Sequence, residues 1–263
     1  WSSDVCSSDL LCYFLRTMTV IYCGIINKTG VLKMIYAVSD IHGCYDKFLG
    51  LLDLIKFSDD DTMYILGDMV DRGKDGIKLL FDLMNRKNIV ALRGNHDHTA
   101  FLMLKHLGMS VDSYDTESLL EIYRMWISDG GHTTYKAFKK LNKQDRRKII
   151  NYLATLPYYR EITVKGKNFF LSHTMPEKEK MDSFDDCRMI DFLMGEVDYE
   201  KVYDKDRFFV TGHTPTGFID ESYTGKIWQK NNHIAIDCGA VFGNTLGCIC
   251  LDTLEEFYYD TKE

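Results

Sequence analysis

The stretch MIYAVSDIHGCYDKFLGLLDLI, residues 34–55, decides the fold because it contains one whole structural unit. Its first six residues form an apolar run that reads as a buried strand. The run stops at Ser39-Asp40, places His42 two residues on and turns at Gly43. Beyond that loop, Phe48, Leu51, Leu52 and Ile55 recur at helical spacing and give a single apolar face. An Asp and a His at i and i+2 fit a surface turn as well as the first two ligands of a metal ion. The rest of the chain has to decide.

Two further units follow the first. DTMYIL (61–66) reads as a strand that ends at GDMVDRG (67–73), and DGIKLLFDLMN (75–85) as a helix with Ile77, Leu80, Phe81 and Met84 on one side. NIVAL (88–92) is a third strand, ending at RGNHD (93–97). Consecutive strand–loop–helix units predict a mainly parallel sheet with its crossovers packed on the faces. The polar residues of interest all stand just past the carboxyl ends of these strands, the edge where open α/β sheets build their sites.

The middle of the chain, about 98–157, has helical periodicity, with a turn at Gly130-Gly131 and a stop at Pro157. It is expected as a helical insertion over the active-site edge. Strand patterns then return. YREITVKGKNFFLSH reads as a hairpin around Lys165-Gly166, RFFVTGHTP as a strand ending in a loop, and the remainder as short alternating strands that supply a second sheet. No internal repeat or linker is visible, so residues 34–263 are expected to form a single domain.

Composition bounds the function. The chain has 263 residues, 45% of them hydrophobic and 27% charged, which suits a folded domain with a sizeable core. A formal charge of −7 disfavours a dedicated nucleic-acid binder, yet leaves phosphorylated substrates open because bound cations reverse a local field. The eight cysteines include no CxxC, and three of them (Cys6, Cys12, Cys23) lie in the front segment, so reduced thiols and a cytoplasmic location are expected. Residues 1–33 read as spurious sequence or a non-native extension ahead of a start at Met34. Their apolar run is broken by Arg16, Thr17 and Thr19 and falls short of the roughly 20 apolar residues of a membrane span.

Lined up, the strand-end residues are Asp40-x-His42, Gly67-Asp68-x-x-Asp71-Arg72-Gly73, Gly94-Asn95-His96-Asp97, His173 and Gly212-His213. Carboxylates, an amide and several imidazoles form a mixed oxygen and nitrogen set that suits Mn²⁺, Fe²⁺ or Zn²⁺. Calcium would want mostly oxygens. Each cluster alone has a bland reading as a turn, a helix cap or a core histidine. Five such clusters at one sheet edge do not.

The run SDIHG, GDMVDRG, GNHD, His173 and TGHTP resembles the calcineurin-like metallophosphoesterases, and more closely their bacterial branch of serine/threonine protein phosphatases and symmetrical diadenosine-tetraphosphatases. The resemblance covers nearly everything from Met34 to the C-terminal strands. It implies a four-layer α/β/β/α sandwich around two divalent ions, Mn²⁺ foremost, with Fe or Zn as alternatives. Asp40 and His42 would hold the first ion, Asp68 would bridge, and Asn95, His173 and His213 would hold the second. Catalysis would rest on His96, oriented by Asp71, with Arg72 clamping the phosphate and Asn95 and His96 also touching substrate. Two such cations share a hydroxide and steady the entering and leaving oxygens of an in-line attack on phosphorus. A guanidinium fork suits two phosphoryl oxygens.

The sequence departs from that family in places. LSHTMP puts Thr174 and Met175 where small residues are usual, which would narrow the floor of the site. After Trp126, SDGGHTT places Asp129 where Asn is usual; a carboxylate there would weaken an anionic group's binding or attract a cationic substrate. DFLMGEVDYE lacks the usual arginine, so Arg188 is the stand-in for a second phosphate contact. His98 either lines the pocket or faces solvent. The leading expectation is a phosphomonoesterase resembling phosphoserine/phosphothreonine protein phosphatases, with no membrane or stable nucleic-acid partner. The alternatives are a symmetrical tetraphosphatase giving two nucleoside diphosphates, and a non-catalytic scaffold, against which the full ligand set and His96 speak.

Overall fold

The computed structural model describes residues 33–108, 116–177, 180 and 187–261. The front segment that the sequence sets apart lies, up to residue 32, outside the described residues.

The three sequence-derived units form as expected. Strand β1 (Ile35–Val38) leads through the DIHG loop to α1 (Tyr45–Leu54), whose inner face carries Phe48, Leu51 and Leu52. Strand β2 (Thr62–Ile65) leads to α2 (Gly76–Leu83), and β3 (Ile89–Ala91) to α3 (Asn95–Gly108). The pairs β1–β2 and β2–β3 are parallel, so all three loops open at one edge. Helix α3 starts at Asn95, three residues before the expected helical block, which places Asn95, His96 and Asp97 in its first turn.

The insertion continues with α4 (Thr116–Trp126), a kinked turn at Ile127–Gly131, α5 (His132–Phe138) and α6 (Lys143–Thr155). Asn142 caps α6, its Oδ1 accepting the Asp145 N–H at 2.9 Å. The hairpin β4 (Tyr159–Val164) and β5 (Lys167–Ser172) turns at Lys165-Gly166 as predicted. Then come α7 (Met189–Met194), β6 (Arg207–Thr211), α8 (Thr216–Ile219), β7 (Trp228–Lys230) and β8 (His233–Ala235). Strands β9 (Leu246–Cys250) and β10 (Glu256–Tyr259) end the described fold.

These strands make two five-stranded mixed sheets, ordered β10-β9-β1-β2-β3 and β4-β5-β6-β8-β7. The back half supplies the whole second sheet, as expected, but not all of its strands stay there. Strands β9 and β10 return to the first sheet, where β9 runs antiparallel beside β1. All five β9 residues are buried, so a central place with both faces covered suits it better than an edge.

Period-two alternation sorts the side chains into layers. From β1, Ala37 faces the second sheet while Tyr36 and Val38 face the helices. From β5, Phe169 and Leu171 enter the layer between the sheets, and Phe170 points outward to Met175 and Phe192 beneath α7. Each fully buried side chain of this size contributes about 1.5–3 kcal/mol. The expected helix–sheet–sheet–helix layering is the observed one.

Candidate metal centre and catalytic pair

The strand-end loops bend sharply enough to bring their polar residues together. Asp40, His42, Asp68, Asp71, Arg72 and His213 all have positive φ, between 44° and 69°. That region is unfavourable for residues with a Cβ and persists where the surroundings over-determine it. Gly94 shows how close the packing is: a Cβ there would lie 2.1 Å from Asp68 Oδ1.

Two donor clusters share Asp68. Its Oδ2 lies 3.5 Å from His42 Nε2 and 3.5 Å from His173 Nε2, while its Oδ1 accepts the backbone N–H of His96 at 3.0 Å. Ligand atoms of Asp40, Asp68 and His173 all fall within 4.8 Å of one another, as do those of His42, Asp68 and His96. Asn95 Oδ1 is 2.8 Å from His173 Nε2 and 3.1 Å from His213 Nδ1, and those two ring nitrogens are 3.1 Å apart. Asp40 Oδ2 accepts from the Ser39 hydroxyl and from His213 N.

The donor chemistry fits a cation. His42 Nδ1–H donates to Val70 O at 2.8 Å, and His173 Nδ1–H donates to Leu66 O at 2.9 Å. In the neutral rings the Nε2 atoms therefore carry lone pairs. Burial keeps the rings neutral, holding His42 and His213 down at about 4 and lowering His173. The lone pair of His173 then faces the carbonyl oxygen of Asn95, an arrangement that a metal ion between them reconciles. Arg72 Nη1 meets the His42 lone pair at 2.7 Å, a cationic donor in the place a metal suits. Burial, then Asp237 and Asp68, push the Asp40 carboxyl well above its ordinary range. Burial also opposes the charge on Asp68, but the imidazoles of His173, His96, His42 and His213 outweigh it and hold that carboxyl low.

Beside the clusters stands a second constellation. His96 Nδ1–H donates to Asp71 Oδ2 at 2.9 Å, and burial disfavours the charged ring, but Asp68 and Asp71 outweigh it and raise its pKa. The fully buried Asp71 also accepts from Trp126 Nε1 at 2.8 Å and from the Thr134 hydroxyl at 2.6 Å. Both donors come from the helical insertion, whose kinked turn is fastened by Arg72 N–H donating to Gly130 O at 3.1 Å. Arg72 Nη2 reaches Asp129 Oδ1 at 3.1 Å, and Asp129 Oδ2 lies 3.4 Å from His96 Nε2.

A cavity of about 430 Å³ opens from this side of the site. Asn95, His96 and Asp129 stand in its wall with Ile122, Met125, Ile190, Leu193 and Met194, so it is largely apolar. His98 lines it too, which answers the choice left open for that residue.

The expectation for Thr174 and Met175 comes out differently. The Met175 side chain is buried with Phe170, Phe192 and Phe209 on the outer face of the second sheet, and the Thr174 hydroxyl donates to Gly195 O at 2.6 Å. Neither narrows the floor of the site, because the chain turns away just past β5. Arg188 begins α7 with its side chain 76% exposed and its Nε 3.8 Å from Asp191 Oδ2, and its described contacts do not reach the cluster. Two carboxylates to which the sequence assigns no role also stand here. Asp97 accepts the backbone N–H groups of Asp68, Met69 and Gly94 at 2.8–3.0 Å, lacing two loops together. Asp237, just past β8, is buried beside Asp40 and accepts Gly239 N–H at 2.8 Å. Burial pushes both up to about 7. The strand-end rule that brings in Asp97 applies equally to Asp237, which it leaves out only because the short β8 is hard to see in the sequence.

Two mixed sheets with helices outside, and a shared carboxylate between donor clusters where strand ends of both sheets meet, define a metal-binding phosphoesterase architecture. The calcineurin-like phosphoesterase family matches residues 33–242, and the chain belongs to that family of hydrolases acting on phosphoric esters. It is similar to serine/threonine-protein phosphatase 2 of Salmonella typhimurium, 27% identical over 62% of this chain and 67% of that protein. It also resembles the symmetrical bis(5'-nucleosyl)-tetraphosphatase of Wigglesworthia glossinidia brevipalpis, 40% identical over 26% of each chain. This chain thus matches only about a quarter of the length of that second relative. Among solved structures, one named as a candidate diadenosine tetraphosphatase superposes with a TM-score of 0.61 at 17% identity, covering 89% of this chain and 95% of that one. At that identity the likeness speaks for the fold. No helix among the described residues is long and apolar enough to cross a membrane.

Proposed function

We propose that the chain is a phosphomonoesterase acting on substrates of the phosphoserine and phosphothreonine kind, with residues 34–263 working as one domain. The observation that carries this reading is the His96–Asp71 pair, whose ring belongs to one of two donor clusters that share Asp68. Asp40, His42 and Asp68 would hold one divalent ion, and Asp68, Asn95, His173 and His213 the other, with Mn²⁺ the first candidate. Such ions would supply Lewis acidity and make hydroxide available as a nucleophile near neutral pH.

The protein's own groups do the rest. Arg72 takes two phosphoryl oxygens in its fork. Protonated His96 gives its Nε2 proton to the leaving oxygen as the ester P–O bond breaks, so the alcohol departs neutral and phosphate remains. Asp71 keeps the ring turned with Nε2 toward the site and favours its protonated form. The apolar cavity past His96 receives the leaving alcohol and sheds water. It contains no Lys or Arg among its described lining residues, which suits a single phosphate better than a tetraphosphate chain.

The test gives the Mn²⁺-loaded full chain phosphoserine and phosphothreonine peptides and diadenosine tetraphosphate in parallel. Inorganic phosphate from the peptides with the dinucleotide intact supports the proposal. Two ADP per dinucleotide would replace it with symmetrical tetraphosphate cleavage.

A further inference from the structure

We infer that Asp129 is a specificity-determining residue: an internal anion that competes with the substrate phosphate for Arg72 and His96 and disfavours substrates carrying a second phosphate. The inference rests on the proposed phosphomonoesterase reading. It uses the two donors assigned there, because Asp129 Oδ1 accepts from Arg72 Nη2 at 3.1 Å and its Oδ2 lies 3.4 Å from His96 Nε2. One carboxylate thus spans both groups that a phosphoryl oxygen pair would use.

The placement is built into the fold. Asp129 sits in the kinked turn at Ile127–Gly131, whose Gly130 has φ +97°. A Cβ on Gly130 would lie 2.6 Å from Arg72 N, so this position lets the turn close on the backbone of the phosphate clamp. On either side of the turn, Trp126 and Thr134 are fixed to the buried Asp71. The Asp129 side chain itself is 60% exposed, so it can swing off the two donors when a phosphate arrives. It is also the one acid or base other than histidine among the described residues lining the cavity. A second phosphate lying along that wall meets a like charge and no cation, whereas an uncharged or cationic neighbour meets no such penalty.

The experiment titrates inorganic phosphate into the Mn²⁺-loaded full chain by calorimetry, comparing wild type with Asp129→Asn and Asp129→Ser. Alongside, KM is measured for a phosphoserine peptide and for the same peptide with a second phosphoserine beside the first. Removing the charge should tighten phosphate binding by on the order of ten-fold and bring the two KM values together by a similar factor. Two results would overturn the inference: phosphate affinity within about two-fold of wild type in both variants, or weaker affinity, which would make Asp129 an orienter of Arg72. If the wild type hydrolyses no phosphomonoester, the proposed function fails, while the phosphate titration still decides the competition. Unchanged thermal midpoints show that the variants fold.

Discussion

His96 Nδ1 and Asp71 Oδ2 are 2.9 Å apart in a site where the ring is 4% exposed and the carboxylate fully buried. Against burial, Asp68 and then that contact favour the protonated ring, so His96 gains a proton more readily than an ordinary histidine. The donor form is present below the raised pKa and lost as pH rises through it. Asp71→Asn removes the charge that helps to hold the pKa up. The alkaline limb of the pH–rate profile should therefore move to lower pH, and kcat should fall. An unmoved limb would detach His96 from the proton transfer.

Replacing the donor itself separates chemistry from metal binding. His96→Asn should lower kcat by roughly 10²–10⁴-fold. Metal content measured by elemental analysis should stay at the wild-type level, because the proposed ligands are all retained. Equal loss of metal and rate would instead make His96 a ligand, the role its ring atoms' closeness to His42 and Asp68 also permits.

Asp68 has the opposite signature. Its carboxylate stands 3.5 Å from one histidine of each cluster, so Asp68→Asn should weaken retention of both ions together. Elemental analysis after dialysis should give much less than half of the wild-type metal. Loss of a single ion per chain would argue that the two clusters do not share this oxygen.

Gly94→Ala tests the close approach on which the site depends. The added methyl would sit 2.1 Å from Asp68 Oδ1 and 2.4 Å from Asp68 N, so the bridging carboxylate must shift. Metal affinity should fall by about 10–100-fold, the usual cost of disturbing groups that orient ligands. Circular dichroism should remain that of the wild type. A variant with full metal affinity would show that the loop has slack that the packing denies.

Trp126→Phe removes one N–H donor from a buried carboxylate. Leaving that oxygen short of a partner should cost about 1–3 kcal/mol in denaturant unfolding. The catalytic rate should fall as well, because the same oxygen holds His96. A stability loss with kcat intact would confine Trp126 to packing.

Much of this site is legible in the chain because its signal is local. An apolar run that ends on Asp, His or Asn marks a strand end, and three parallel strands bring such ends to one edge whatever the remaining topology. What escapes depends on distant docking. Nothing in SDGGHTT says that Asp129 will face Arg72 across the kinked turn, since that follows from the insertion settling on the GDMVDRG loop. LGCIC and EFYY read as strands, but nothing in them says which sheet receives them, so the sequence points β9 and β10 to the second sheet and the fold places them in the first. Met175 lies past the end of β5, where strand parity no longer indicates a side chain's direction. Asp97 and Asp237 obey the same strand-end rule as the ligands. Asp97 differs in giving both carboxylate oxygens to backbone N–H groups, a distinction of orientation that residue type does not encode.

The two grips on Asp71 have a consequence for anyone who would rebuild this protein. Trp126 and Thr134 lie on opposite sides of one turn, yet hold the same carboxylate. An engineer exchanging the insertion for a shorter linker would strip a buried acid of two of its side-chain donors and loosen the ring that it steers. A transplant that preserves turnover must carry an indole and a hydroxyl at that spacing. The insertion and the His96 ring that it steers through Asp71 are one inherited part.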